Sequence, residues 1–260
     1  LETGLGGALD ATNIIQTTQL EVIVPISMDH TDVLGKTLKE IAMQKAGIIK
    51  PHTTVVTAVQ KEEARQVLQK VCQEKESCFC EVEEKEISDV HYGYIRQSFS
   101  YKNWKNVEIS LAGEFQIQNG ALALEAVNQL RRIGFSLSDE AVYAGMKEAK
   151  WVGRFTVMSQ NPLIILDGAH NPHAAEALRK SLELYFKGKK LYYVFGVFQD
   201  KDYKKIIELT APLAEHIITV ETPNNPRALS AEELKKQVEK VNASVETGKS
   251  IEAAIEKNLR

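Results

Sequence analysis

Apolar positions along the first half of the chain form short runs typical of strands and longer stretches with helical spacing. LEVIVPI at 20–26 and TTVVTAV at 53–59 predict buried strands. Residues 78–111 alternate aromatic, β-branched and polar side chains, which predicts a small antiparallel section. The predicted helices are 33–46, 61–75, 116–133 and 138–150.

After WVGR at 151–154, strand-like runs and helical stretches alternate regularly. The predicted strands are 162–168, 191–197, 216–222 and 243–247, and the helices that follow them are 172–186, 202–214, 230–241 and 250–259. This alternation predicts βαβ units on a parallel sheet. We therefore expect an α/β protein of two domains, residues 1–149 and 150–260, the second one smaller and built on a mainly parallel sheet.

Composition excludes several classes of protein. The 260 residues carry 32 basic and 35 acidic side chains, a formal charge of −3, which disfavours a nucleic-acid partner. The longest apolar runs fall short of the roughly 20 residues that span a membrane. The three cysteines, Cys72, Cys78 and Cys80, support neither a disulfide framework nor a zinc site, so we expect a cytoplasmic protein. No unusually apolar surface helix demands a partner, so we expect a monomer.

Two segments resemble a phosphate-binding loop, but neither completes the motif G-x-x-x-x-G-K-[ST]. HTDVLGKT at 30–37 has His30 at the first glycine, and ASVETGKS at 243–250 has Ala243 there. GLGGALD at 4–10 fails as a dinucleotide fingerprint, because G-x-G-x-x-G needs a glycine where Leu9 stands. Ser250 is better explained as the cap of the last helix. GLGG by itself predicts a sharp turn. Since the chain starts with Leu inside this glycine-rich stretch, we expect it to be a piece of a longer polypeptide.

Lys45 is the residue that fits the predicted helix 33–46 least well. Leu34, Leu38 and Ile41 form its apolar stripe, and the next position on that stripe is Lys45. One explanation is a lysine whose ammonium reaches solvent from a helix end. The other is a site lysine that is held neutral, paired or modified. Asp29 and His30 follow the strand at 20–26, at the edge of the sheet where ligands bind in α/β proteins.

Polar residues elsewhere are also candidates for ligand contacts. In DGAHNP at 167–172, Asp167 and His170 follow an apolar strand, and Asn171 caps the next helix. A ribose hydroxyl could be held by the carboxylate of Asp167 and a phosphate by the imidazole of His170. Asn119 is predicted on the apolar stripe of helix 116–133, either as a satisfied buried amide or as a reader of an adenine edge. Arg154 follows a glycine at the domain boundary, where an arginine can clamp phosphate.

The order and spacing of these motifs resemble one protein family over nearly the whole chain. ETGLGGALDATN, ISMDHTDVLGKTLKEIAMQKAGIIKP, FQIQNGALALEA, WVGRF, ILDGAHNPHA and FGVFQDKDY are similar to successive motifs of the folylpolyglutamate synthase/dihydrofolate synthase family, within the Mur ligase superfamily. The resemblance implies a partial Mur-ligase-type P-loop ATPase domain followed by a Rossmann-like ligase domain. It implies ATP-dependent addition of L-glutamate to dihydropteroate or folate (poly)glutamates through an acyl phosphate.

The resemblance also implies roles for individual residues. Glu2 and His30 match the family's Mg²⁺-site residues, and Lys45 matches the lysine that the family carbamylates. Asn119, Arg154, Asp167 and His170 match nucleotide-contacting residues, with ATP expected in a cleft between the two domains. On this basis Lys45, His30, Asp167 and His170 are also the expected catalytic residues. Roles for Asp200-Lys201-Asp202 and Pro226-Arg227-Ala228 are not assigned.

The chain departs from the family pattern at two places. Ala8 stands where the family often has an arginine after GLGG, and the family's P-loop precedes Leu1. We therefore predict that these 260 residues alone do not turn over ATP. Two alternatives stay open, a Mur-type ligase for UDP-N-acetylmuramoyl substrates and a non-catalytic nucleotide-binding relic. A dehydrogenase is disfavoured because no strand–turn–helix carries the glycine fingerprint.

Overall fold

The computed structural model describes residues 1–259, which form two compact units. Unit 1 comprises Leu1–Tyr92, Arg96–Ser110 and Phe115–Lys150. Unit 2 comprises Gly93–Ile95, Leu111–Glu114 and the chain from Trp151 onward. Within the described residues, no helix combines the length and the apolar character needed to cross a membrane.

A three-stranded parallel sheet forms the centre of unit 1. Its strands are β1 (Glu21–Ile23), β2 (Thr54–Thr57) and β3 (Cys78–Glu81), in the order β1-β2-β3. The prediction that residues 78–81 belong to an antiparallel section was wrong, because Cys80 pairs with Val56 in a parallel register. A helix connects β2 to β3, and such a crossover brings the second strand back in the same direction.

Residues 1–150 contain five helices, and one predicted helix is in fact two. The helices are α1 (Thr31–Leu34), α2 (Leu38–Ala46), α3 (Glu62–Glu74), α4 (Gln116–Arg132) and α5 (Asp139–Glu148). The prediction of one helix over 33–46 fails because Gly35 has φ 127°, which interrupts the α conformation. Thr37 then starts α2 with a capping box, in which it bonds reciprocally with Glu40.

The two faces of the parallel sheet pack against different helices. Val55 points to a core formed with α2 and α3, whereas its neighbour Val56 points to a core formed with α4. The second core also takes in the predicted antiparallel section, which is confirmed as β4 (Ile87–His91), β5 (Gln97–Tyr101) and β6 (Trp104–Ile109). Trp104 is 1% exposed and lies at its centre.

Unit 2 contains a second parallel sheet and a separate hairpin. β9 (Tyr192–Phe195), β10 (His216–Thr219) and β11 (Val245–Thr247) form the sheet in the order β11-β10-β9. β7 (Thr156–Gln160) and β8 (Leu163–Leu166) pair with each other in antiparallel fashion. The mixed, mainly parallel α/β fold is thus confirmed, but the segment 162–168 was wrongly placed in the parallel sheet. Only Asn161 and Pro162 separate β7 from β8, and so short a connection joins two strands as a hairpin.

The helices of unit 2 begin where the sequence places polar caps. They are α6 (Pro172–Tyr185), α7 (Tyr203–Thr210), α8 (Ala231–Val238) and α9 (Ile251–Asn258). Asn171 and Ser250 each accept a backbone N–H with the side chain, from Ala174 and Ala253 respectively. Ser250 is therefore a helix cap, as predicted. Short 3-10 turns occur at Ala11–Ile14, Glu84–Glu86 and Ala211–Leu213.

Candidate active site

The glycine-rich opening packs tightly on the helices that carry the other candidate metal-site residues. A Cβ on Gly7 would lie 2.7 Å from the carbonyl oxygen of Gln44, and one on Gly6 would lie 2.9 Å from Leu34. The N–H of Ala8 donates to the same Gln44 oxygen at 2.8 Å. Larger residues at positions 6 and 7 would force this stretch away from α1 and α2, so the glycines serve a close backbone approach.

Asp10 stabilises the glycine-rich stretch at residues 4–7, called the glycine loop below. The sequence analysis missed this role. The carboxylate of Asp10 accepts from the N–H of Leu5 at 2.9 Å, from the N–H of Thr12 at 2.9 Å and from the hydroxyl of Thr12 at 2.6 Å. The Thr12 hydroxyl, followed by these backbone groups, lowers the pKa of Asp10 to about 2. The available signal was the pattern Asp-x-Thr, which is typical of a side chain that bonds its own turn.

We predict that acid releases this loop. Because the pKa of Asp10 is lowered from 3.8 to about 2, its contribution is present above pH 3.8 and is lost as the pH falls through 2. The check is a carboxyl NMR titration of Asp10, with amide exchange of Leu5 measured in parallel. Thr12→Val should move the midpoint up towards 3.8, and an unchanged midpoint would contradict the assignment.

The three predicted metal-site residues, Glu2, His30 and Lys45, come from segments that pack together. Glu2 is exposed and opens the stretch that leads into the glycine loop. His30 is exposed at the start of α1 with φ 49°, and its Nε2 lies 4.0 Å from Oδ1 of Asp29. No group of three or more His, Cys, Asp or Glu side chains among residues 1–259 is arranged to hold a metal ion. The structure thus brings the segments together without showing a complete protein-only metal site.

Lys45 is half-buried, which corrects the prediction that it lies on the buried stripe. Leu38, Ile41, Ala42 and Ala46 are the buried positions of α2. Lys45 lies in the last turn at the edge of that stripe, so its stem is partly covered. Among the described residues its ammonium has neither a hydrogen-bond nor an ion-pair partner.

Arg154, Asp167 and His170 are brought together in unit 2 by the β7–β8 hairpin. The N–H of Gly168 donates to the carbonyl of Gly153 at 2.8 Å, which joins the two segments. The guanidinium of the exposed Arg154 lies beside Gly168. His170 is half-buried, and its Nδ1 lies 2.8 Å from the carbonyl oxygen of Gly168. A carbonyl can only accept, so Nδ1 carries the proton and Nε2 is left as the free ring nitrogen.

Asp167 fixes the backbone of this turn with both carboxylate oxygens. Oδ2 accepts from the N–H of Phe155 at 2.8 Å, and Oδ1 accepts from the N–H of Ala169 at 2.8 Å. Phe155 has φ 48° and is 1% exposed. Asp167 therefore ties the residue after Arg154 to the turn that carries His170, a connection that the sequence did not reveal.

We predict that Asp167→Asn destabilises unit 2 by about 1–3 kcal/mol, because the amide nitrogen cannot accept the second backbone N–H. Urea unfolding followed by circular dichroism checks this. Asp202→Asn is the matched control, since Asp202 caps α7 through Lys205 and asparagine caps a helix equally well. Equal losses in the two variants would contradict the role given to Asp167.

Asn119 is exposed, so its predicted place on the apolar stripe of α4 was wrong. The buried side of the helix includes Ile117, Gly120, Ala121 and Leu124, and residue 119 is not part of it. Its Nδ2 donates to Oε1 of Gln116 at 2.9 Å. This leaves the amide oxygen available to a ligand.

Asp200 and Arg227 form an ordered pair on unit 2. The guanidinium donates to both carboxylate oxygens, at 3.1 and 2.9 Å, and lies 4.9 Å from the ring centre of Phe198. Arg227 lowers the pKa of Asp200 through these hydrogen bonds. The two segments left without a role in the sequence analysis are therefore joined to each other.

Comparison with known proteins finds similarity over nearly the whole chain. Residues 153–260 match the family model described as Mur ligase, glutamate ligase domain. A Bacillus subtilis protein named dihydrofolate synthase/folylpolyglutamate synthase is 34% identical over 244 residues, which cover 90% of this chain and 55% of that protein. An Escherichia coli protein of the same name is 33% identical over 206 residues, covering 78% of this chain and 46% of its own.

Solved structures of proteins with these names show the same similarity at the level of the fold. A Mycobacterium tuberculosis folylpolyglutamate synthase complexed with ADP superposes with a TM-score of 0.85 at 30% identity, covering 98% of this chain and 58% of that one. E. coli FolC in complex with DHPP and ADP gives a TM-score of 0.81 at 28% identity, covering 99% and 59%. The chain thus spans about half the length of the relatives that it matches.

Proposed function

We propose that the chain, which belongs to the folylpolyglutamate synthase/dihydrofolate synthase family of Mur ligases, is part of an ATP-dependent ligase. This ligase joins L-glutamate to dihydropteroate or folate. The observation that carries the proposal is the conjunction of Arg154, Asp167 and His170 around one hydrogen-bonded turn, in a chain whose structural relatives bind ADP. A cytoplasmic, monomeric enzyme remains the expectation.

The proposed reaction has two steps, because a carboxylate is a poor electrophile. An oxygen of the pteroate or folate carboxylate attacks the γ-phosphorus of ATP, and ADP leaves. The amine of glutamate then attacks the acyl carbon of the resulting acyl phosphate. The C–O bond to phosphate breaks, inorganic phosphate leaves, and the amine gives up a proton as the amide forms. Positioning and charge stabilisation supply most of the catalysis in such phosphoryl transfers.

The residues of unit 1 fit a Mg²⁺ site that the nucleotide completes. Mg²⁺ is usually held by one or two carboxylates together with phosphate oxygens and water, so a closed protein cage is not required. Glu2 offers an exposed carboxylate, and His30 lies on a segment packed against the same loop. When bound, Mg²⁺ would neutralise charge on the phosphate oxygens.

We assign carbamylation to Lys45 as part of that site. The neutral amine adds to the carbon of CO₂, loses a proton and becomes an anionic carbamate with two oxygen donors. A half-buried lysine without an ion-pair partner among residues 1–259 suits this role, since no carboxylate occupies the space beside its nitrogen. Native mass spectrometry in bicarbonate checks this assignment, through an added mass of one CO₂ that is absent from Lys45→Arg.

For the nucleotide we propose four contacts. The guanidinium of Arg154 binds phosphate, and the amide of Asn119 reads the adenine. Asp167 has acceptor capacity left for a ribose hydroxyl beyond its two backbone bonds. The fourth contact is made by Nε2 of His170. This ring nitrogen is free because Nδ1 donates to the carbonyl oxygen of Gly168.

A joined enzyme provides the test of function. The part of the B. subtilis relative that precedes the matched region is fused to this chain, and ADP release is measured with ATP, Mg²⁺, glutamate and dihydropteroate. We expect release that depends on all four. Turnover with a UDP-muramoyl peptide and none with pteroates would instead assign a Mur-type substrate, and no turnover with either would overturn the proposal.

The 260-residue polypeptide by itself is expected to release no ADP under these conditions. The hydroxyl-bearing residues of its two Gly-Lys-[Ser/Thr] segments, Thr37 and Ser250, are used as caps of α2 and α9, which supports this expectation. Rapid ADP release by this polypeptide would contradict the expectation.

A further inference from the structure

A trench of about 730 Å³ lies along β3 in unit 1, and none of the predicted site residues lines it. Its floor is the stretch from Phe79 to Val82. Arg65 and Gln69, one turn apart on α3, form part of the lining. Glu125, Gln129 and Arg132, at helical spacing on α4, form another part. Glu83–Lys85 and Lys102 line the end that follows the strand.

The trench arises because α3 and α4 cover opposite faces of the sheet, and β3 is an edge strand of that sheet. Phe79 packs with the core of α3, whereas Cys80 packs with the core of α4. β3 pairs only with β2 among the strands of residues 1–259. Two helices on opposite faces of an edge strand leave a channel whose floor is the strand's own backbone.

Within the part of the chain that the structure describes, the backbone of that floor offers unpaired hydrogen-bonding groups. The N–H groups of Cys78 and Val82 donate towards β2, to Thr53 and Thr57, each at 2.9 Å. Since successive residues of a strand point alternately to its two sides, the N–H and C=O groups of Phe79 and Glu81 face the trench. An edge of this kind is a template for another extended chain unless a proline, a bulge or a charge blocks it. CFCE contains no proline, and its pairing with β2 has no bulge. Its one charge, Glu81, is paired with Arg65.

The charges around the trench are largely paired with one another. Glu125 is 3% exposed, and it accepts from Tyr101, Lys102 and Gln129 at 3.0, 2.9 and 2.7 Å. Nε of Arg65 lies 2.8 Å from Oε2 of Glu81. Glu125 and Glu81 therefore already have cationic partners. They line the trench as part of its structure and are not left over to bind an occupant.

Two charges at different positions are left available to an occupant. Among residues 1–259, Arg132 is exposed and makes only a long bond, 3.4 Å, to Gln129. Glu84 is exposed and accepts a hydrogen bond from the amide of Gln118, and no cation pairs with it among these residues. Arg132 lies at the end of α4, and Glu84 follows β3 in the chain. Balanced wall charges disfavour a polyphosphate, and the described residues hold no metal-ligating cluster here.

We propose that this trench binds an extended peptide segment of mixed charge, which adds as a strand to the open edge of β3. Its main chain pairs with Phe79 and Glu81, an acidic side chain meets Arg132, and a basic side chain meets Glu84. β3 has four residues, which at about 3.3 Å each matches a peptide of four or five residues. Strand addition gives affinity through the main chain and selectivity through the side chains.

The test uses pentapeptides with blocked termini, titrated into the ¹⁵N-labelled chain. One pool has Glu first, Lys last and Val, Ile, Thr or Tyr between, and a second pool has Glu and Lys exchanged. One pool should shift the amide signals of Phe79 and Glu81, and N-methylation of its inner amides should abolish the shifts. Arg132→Glu should weaken binding about ten-fold or more, and replacing the acidic residue of the peptide by Lys should restore it.

The controls separate binding from folding. Lys70→Glu changes an exposed charge on α3 that does not line the trench and should leave affinity unchanged. Arg132→Gln should weaken binding without the risk that a new carboxylate brings to the end of α4. The proposal is overturned if neither pool shifts Phe79 and Glu81 at millimolar peptide. It is equally overturned if N-methylated peptides bind as well as the parent.

Discussion

Replacing Lys45 by alanine in the joined enzyme is expected to lower kcat by about 100- to 1,000-fold, the usual effect of removing one group that stabilises charge in a phosphoryl or acyl transfer. The reason is the loss of the carbamate oxygens beside the phosphates. KM for the pteroate should change little, because Lys45 is not proposed to contact it. Initial rates of ADP release measure both parameters.

Lys39→Ala is the matched control, since Lys39 is an exposed lysine on the same helix with no proposed role. Short carboxylates such as acetate should restore part of the activity of Lys45→Ala by supplying an oxygen donor, whereas a merely structural lysine would not respond to them. A variant that keeps its full rate would remove Lys45 from the site and leave the assignment of the ligase itself standing.

Phe155→Ala is expected to cost unit 2 about 3–5 kcal/mol of unfolding free energy, as large truncations of buried aromatics do. Phe155 is 1% exposed, and its ring centre lies 5.4 Å from that of Tyr185 and 6.3 Å from that of Phe186. Its N–H is the one that Asp167 accepts. Loss of the ring should therefore also disorder Arg154, so nucleotide affinity should fall together with stability.

Urea unfolding and titration with a fluorescent ADP analogue measure the two effects in the joined enzyme. Tyr192→Ala removes an aromatic ring that is 50% exposed in the same unit and should leave both nearly unchanged. A stability loss below about 1 kcal/mol would show that the site relaxes around the missing ring. It would also mean that Phe155 does not fix Arg154.

Helix caps and apolar spacing were readable from the sequence because they are local. Asn171 and Ser250 begin their helices as predicted, since a cap bonds a backbone group three residues away. The order of motifs was also sufficient to indicate the family. Local rules failed at Gly35, where helical spacing of leucines continues through a backbone conformation that no helix contains.

Strand partners and exposure at the candidate site were decided by tertiary structure. Apolar runs mark β3 and β8 as strands, but they do not say that β3 pairs in parallel with β2 or that β8 pairs with β7. Asn119 looked buried because its neighbours are apolar, yet the rotation of α4 against the sheet turns it outward.

The sequence alone determined the α/β class and indicated the family, because periodicity and motif spacing are properties of nearby positions. Only the tertiary structure showed that Asp167 ties Phe155 to the turn of His170. It also showed that the glycine loop lies on α2, and that, within residues 1–259, β3 leaves an open edge between α3 and α4. These contacts join residues far apart in the chain, and their formation depends on how whole faces of helices and strands fit together.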